Sequence, residues 1–167
     1  MTYDITLHEH TPQPVISLRE SLAQPQLSSF FGRTFTELYA HLGRHGIPPR
    51  GEPFVVYHAF GPETIDVEAC LPVPTEVAAT NGIGYRVLPA VTVAGTIHVG
   101  PYDQLGRAYQ ALDEWASDHA FETAGPARER YLDQPQRSVS QDALRTIVQL
   151  PIARPVAAVG SSGRSAP

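Results

Sequence analysis

Residues 31–58, FGRTFTELYAHLGRHGIPPRGEPFVVYH, and residues 105–132, LGRAYQALDEWASDHAFETAGPARERYL, align without a gap at an offset of 74. Gly32 meets Gly106, Arg33 meets Arg107, Leu38 meets Leu112, His45 meets His119, Gly51 meets Gly125 and Tyr57 meets Tyr131. Apolar places agree as well: Phe31 with Leu105, Phe35 with Tyr109, Leu42 with Ala116. After a small change of length, LPV at 71–73 matches LPI at 150–152. Self-similarity at a fixed period marks a supersecondary unit written twice.

Each copy runs through the same elements. A strand region leads, ITLHEHTPQPVISLRE at 5–20 in the first copy and YRVLPAVTVAGTIHV at 85–99 in the second. Val91, Val93 and Ile97 are the β-branched residues that strands favour, and Pro89 marks a bend or an edge. A helix follows. Leu105, Ala108, Tyr109, Leu112 and Ala116 fall at helical spacing on one apolar stripe. Asp103 and its repeat mate Ser29 are the expected N-caps. Gly46 and Pro48-Pro49 stop the first helix, and Gly125-Pro126 lie beyond the second. Two strands close each copy: FVVYHAF with ETIDVEACLPV, and ARERYL with DALRTIVQLPI. The expected fold is α+β, a tandem βαββ repeat with pseudo-twofold symmetry. Antiparallel sheets and two main helices would surround a central cleft. Repeat one covers 4–74 and repeat two 84–153, within one ligand-binding domain at 1–153. The small, glycine- and serine-containing segment 154–167 reads as a flexible tail.

Composition narrows the function. The chain has 167 residues, one domain's worth, and 42% hydrophobic content suffices for a packed interior. No apolar run approaches the roughly 20 residues of a membrane span. MTYDITLHEH lacks the basic and apolar segments of a signal peptide. Cys70 is the lone cysteine, which excludes an internal disulfide and suits a cytoplasmic protein. A net charge of −5 argues against direct nucleic-acid binding.

The stretch GPARERYL at 125–132 raises the functional question. Strand side chains alternate between faces, so with Arg128 and Arg130 in water, Glu129 and Tyr131 point inward. An inward carboxylate needs a tyrosine hydroxyl, an arginine, water or a cationic ligand, because burying it alone costs several kcal/mol. An aromatic wall with one buried negative charge suits a flat cation. The plainer reading is a surface glutamate paired with a basic neighbour. The repeat sets Tyr57 against Tyr131 and Val55 against Glu129, so one half alone carries the charge.

VEACLPV at 67–73, RVLPAVTVAGTIHVGPYDQLGRAYQAL at 86–112, GPARERYL at 125–132 and RTIVQLPI at 145–152 together resemble the GyrI-like small-molecule-binding domain. That domain also forms the effector-binding half of certain multidrug-responsive transcription activators. The resemblance implies a tandem βαββ fold with a central pocket for aromatic, often cationic, compounds, and Glu129 as the ligand carboxylate. Two departures stand out: Ile147 occupies a place where relatives often carry glutamate, and Leu144 lies near a place where some carry tyrosine. The regulators' upstream DNA-binding helix-turn-helix is not expected, because the first repeat starts almost at Met1.

The expected ligand-binding set is Glu129, Tyr131, Tyr57, Phe31, Phe35, Tyr102, Leu105 and Tyr109, the last five walling the cleft from the helix starts and stripes. Trp115 reads as packing or rim. His8 with His10, and His41 with His45, share faces but lack a third ligand, so no metal is expected. No cofactor is expected. NGIGYR at 81–86 enters a strand and is a turn, not a phosphate loop. No nucleophile elbow is present, and Cys70 lacks a recognisable partner. The leading expectation is a stand-alone small-molecule binder whose partner is a hydrophobic or cationic aromatic compound. Two alternatives stay open. One is a hydrolase of cyclopropane-bearing DNA-alkylating drugs, with Glu129 catalytic. The other is an interaction protein that inhibits a topoisomerase.

Overall fold

A computed structural model describes residues 2–133 and 139–155. The half expected as the first copy supplies β1 (Thr6–His10), β2 (Gln13–Leu22), α1 (Leu27–His45), β3 (Phe54–Phe60) and β4 (Ile65–Pro72). The second supplies β5 (Gly84–Leu88), β6 (Val91–Val99), α2 (Gly106–Asp118), β7 (Glu122–Thr123), β8 (Ala127–Tyr131) and β9 (Arg145–Ala153). Each expected leading strand is thus two. Thr11-Pro12 breaks the first and Pro89-Ala90 the second, where proline withholds the ladder donor. Most of the expected tail, 156–167, lies outside the described residues.

The strands form one curled antiparallel sheet, in the order β1-β6-β9-β8-β3-β4-β2-β5, with β7 pairing to β9. The short leading strands cross over: β1 pairs with β6 of the second copy, and β5 with β2 of the first. The registers correspond, since Thr6 faces Gly95 and Gly84 faces Ser17. The copies meet at β3 and β8, where Val55 stands directly opposite Glu129. A continuous sheet leaves no unpaired backbone at this junction, where two separate sheets would each have an edge.

Both helices lie on one face of the sheet. Phe30, Leu38 and Leu42 of α1 bury against Ile16, Val55, Val67 and Leu71. Ala108, Leu112 and Ala116 of α2 bury against Ala94, Val148 and Leu150. The spacings of four and eight residues in α2 keep one stripe inward. Each fully buried leucine here contributes roughly 1.5–3 kcal/mol of transfer free energy. Trp115 stacks on His119 and Phe121 at the end of α2, consistent with packing. Neither helix is long and apolar enough to cross a membrane.

Helix ends differ from expectation at the start. Short 3₁₀ turns, Gln24–Gln26 and Tyr102–Gln104, run into each helix. Ser29 therefore lies inside α1 and Asp103 inside a 3₁₀ turn, and neither caps a helix with its side chain. At the other end, Gly46 takes the left-handed conformation, φ 65°, and Ile47 N–H donates to the Leu42 carbonyl. The second helix closes the same way at its repeat mate: Ala120 has φ 59°, and Phe121 N–H donates to the Ala116 carbonyl. An alanine there carries a left-handed penalty of roughly 1–2 kcal/mol that glycine avoids. Ala120→Gly is therefore expected to raise the melting temperature by about 2–4 °C, and Gly46→Ala to lower it similarly. Thermal unfolding of both variants checks this, and two unchanged midpoints would remove the strain.

Candidate functional site

Strand β8 alternates as the sequence requires, placing Arg128 and Arg130 on one face and Glu129 and Tyr131 on the helix face. The expectation that both arginines reach water fails. Arg128 and Arg130 are 6% and 5% exposed, and Glu129 is 5% exposed. Curling of the sheet covers the face without helices too, so a central strand is buried on both sides.

The Glu129 carboxylate is held by hydroxyl groups. Tyr109 donates to Oε1 at 2.7 Å and Tyr131 donates to Oε2 at 2.8 Å. Among the described residues, no arginine or histidine lies within ion-pair distance of it. Burial pushes the Glu129 pKa up, and bonds from the Tyr109, Tyr131 and Tyr57 hydroxyls only partly pull it back. Burial, then the nearby carboxylate, raises the phenol pKa of Tyr57, Tyr109 and Tyr131. These phenols stay protonated and act as donors.

Aromatic side chains continue the cluster outward. The Tyr131 ring lies 6.2 Å from Phe31 and 5.7 Å, edge-on, from Tyr102. Phe31 in turn lies 6.3 Å from Phe35. Tyr57 packs edge-on against Phe60. Leu105 differs from the rest of the set: it is buried in the core beneath α2 with Ala108 and Leu112. Tyr109, expected only as a wall, is a hydrogen-bond donor to the carboxylate. Sequence reasoning placed it correctly on the α2 stripe, but its reach to β8 depends on the sheet's curl.

Ile147 pairs with Arg130, on the face away from Glu129, whereas Val148 stands beside Glu129. A glutamate at position 147 would therefore not share the Glu129 site. Leu144 is buried at 2% exposure. A surface depression of about 400 Å³ lies elsewhere, between the outer side of α1 and the Thr80–Ile83 turn. It does not adjoin Glu129, so its size says nothing about the carboxylate. Both oxygens of Glu129 accept from phenols.

The histidines fill structural places. His41 is buried and bonds the Ala78 carbonyl through Nε2 at 2.9 Å, while His45 bonds the His41 carbonyl at 2.8 Å. His8 contacts Thr6 and His10 contacts Gln149. Among the described residues, no three histidine, cysteine or acidic side chains are grouped to hold a metal ion. Sequence reading missed a second buried acid, Glu68, on the opposite face. It is bound by Arg86, by Ser17 Oγ at 2.6 Å and by His58 Nε2 at 2.8 Å. Burial opposes its ionisation, but these three partners win and lower its pKa to about 2.

A profile of the GyrI-like small molecule binding domain family matches residues 3–153. The C-terminal domain of EcmrR superposes with a TM-score of 0.83 and 26% identity, over 92% of this chain and 99% of that domain. EcmrR in its DNA complex gives 0.81 and 26%, over 91% of this chain but 58% of that longer one. A hydrolase from Listeria innocua gives 0.69 at 12% identity, over 89% of this chain and 91% of that one, a likeness of fold alone. No curated protein is similar enough in sequence to count as a relative.

The raised Glu129 pKa carries a stability signature. The native state holds this proton above the ordinary glutamate pKa of about 4.3, and the unfolded chain does not. Glu129's contribution is therefore fully present below that value and is lost as pH rises through the native pKa, by at most about 1.4 kcal/mol per pH unit. Glu68, with its lowered pKa, acts the opposite way and at lower pH. Urea unfolding above pH 4.5 should show wild type losing stability relative to Glu129→Gln as pH rises. A difference that stays constant with pH would mean the pKa is not raised.

Proposed function

This chain belongs to the GyrI-like small molecule binding domain family, and on that premise we propose that it binds hydrophobic, cationic aromatic compounds against Glu129. The carrying observation is a carboxylate 5% exposed whose donors are phenols and not cations. A buried anion of this kind is stabilised further by a positive ligand. Tyr131, Tyr57, Tyr109, Tyr102, Phe31 and Phe35 supply π faces, each worth about 0.5–2 kcal/mol to a desolvated cation. Leu105 contributes by supporting the wall from the core. Apolar burial at ~25 cal/mol per Å² provides most of the affinity before ordering costs, and Glu129 provides charge selection.

The biological use would be sensing or sequestration of such compounds in a reducing, cytoplasmic setting. The likeness to the C-terminal domain of EcmrR, a protein solved on DNA, supports a sensing role. Hydrolysis on the same site is less well supported. Glu129 already accepts from two hydroxyls, and among the described residues no second carboxylate bonds to the cluster.

Titration with tetraphenylphosphonium or a rhodamine tests the reading. Wild type should bind at least 10-fold more tightly than Glu129→Gln, about 1.4 kcal/mol, while a neutral aromatic of similar size should bind both alike. Wild-type affinity for the cation should also fall as the pH drops below the Glu129 pKa. Equal cation affinity in the two proteins would remove the carboxylate from the site.

A further inference from the structure

The face of the sheet turned away from both helices carries charge that the Glu129 site does not use. Arg128 and Arg130 sit two residues apart on β8, ~7 Å at the ~3.3 Å rise of a strand. Arg130 is well partnered. Its Nε donates to Gln149 Oε1 at 2.9 Å, and its Nη2 donates to Gln13 Oε1 at 3.1 Å. Its guanidinium lies 4.2 Å from the Phe54 ring centroid, and Glu52 stands 3.7 Å away. Arg128 is different. It is 6% exposed, and its buried Nε meets no acceptor among the described residues. No carboxylate among those residues comes within ion-pair distance of it. Glu68, on the same face, is already committed to Arg86, Ser17 and His58.

The Arg128 Nε–H is a buried donor without an acceptor among the described residues, and such a donor destabilises the fold until something accepts from it. We propose that this face holds a second site, specific for a small oxyanion, a carboxylate or phosphate group bound by Arg128 with Arg130 beside it. A guanidinium presents a planar fork of donors, which matches two oxygens of one anion better than a halide. Burial already pushes the Arg128 pKa down, and an anion would relieve that cost. Arg86, with its side chain 42% exposed, is the member of the cluster that reaches solvent. The two sites then have opposite charge preference on opposite faces of one strand.

Equilibrium dialysis of the full chain against labelled phosphate and labelled acetate, at constant ionic strength in chloride, tests this. Wild type should bind one of the two saturably, one per chain, and which one identifies the source of the oxyanion. Binding should weaken at least 10-fold in Arg128→Met and stay unchanged in Glu129→Gln, so failure here is separable from failure at the cation site. Arg128→Met should also melt no lower than wild type without the oxyanion and lose the oxyanion-dependent rise in melting temperature. If that variant does not fold, Arg128→Lys, which keeps the charge and loses the fork, should show the weakened binding. No saturable binding, equal binding by the variant, or an equal melting shift with chloride would overturn the proposal.

Discussion

The pairing of β3 with β8 is the constraint on which the rest of the molecule depends. It joins the two copies through backbone hydrogen bonds and sets Val55 against Glu129 at their junction. Nearby backbone groups then find partners within one continuous sheet. The helices pack to either side of this junction, α1 on β2 and β4 and α2 on β6 and β9. The phenols of Tyr109 and Tyr131 meet the carboxylate there because one rises from a helix of the second copy and the other from β8 itself. The first copy offers an aliphatic side chain at the equivalent place, so the charge is single and sits beside the junction.

Burial on both faces of β8 follows from curl. The short strands β1 and β5 each pair into the other half, and His10 and Gln13, on either side of the break after β1, come to the face opposite the helices. That face consequently encloses Arg130, Gln149 and Phe54. In a flat sheet the same arginines would lie in water and contribute little. Enclosed, they demand partners, and the local polar network of Gln149, Gln13 and Glu52 exists to meet that demand at Arg130.

Much of this was legible beforehand. The offset of 74 placed Val55 opposite Glu129 in alignment, and the structure makes them neighbours in register. Gly46, read as the stop of the first helix, closes it in the left-handed conformation, whereas the second closes at Ala120, ahead of the Gly125-Pro126 that the sequence marked. The stripe of Ala108, Leu112 and Ala116 needed only helical periodicity. Asn81-Gly82, inferred as a turn, has positive φ at both residues between Thr80 and Ile83, which pair with each other. The capping roles assigned to Ser29 and Asp103 failed because a preceding 3₁₀ turn moves each helix start, and local preference does not reveal that shift.

Sequence by itself determined the mixed order of strands and helices, the alternation that separates Glu129 from its flanking arginines, and the aromatic character of the helix stripes. These are local properties, set by side-chain period and turn chemistry along a few residues. Tertiary structure alone decided that the sheet is continuous, that β1 and β5 cross between the two halves, that the buried Glu68 is paired with the more exposed Arg86, and that Arg128 and Arg130 are shielded from solvent. Burial of a side chain depends on what the rest of the chain places over it. Those partners lie far away in sequence, as Gln13 lies 117 residues from Arg130, and no local pattern encodes the meeting.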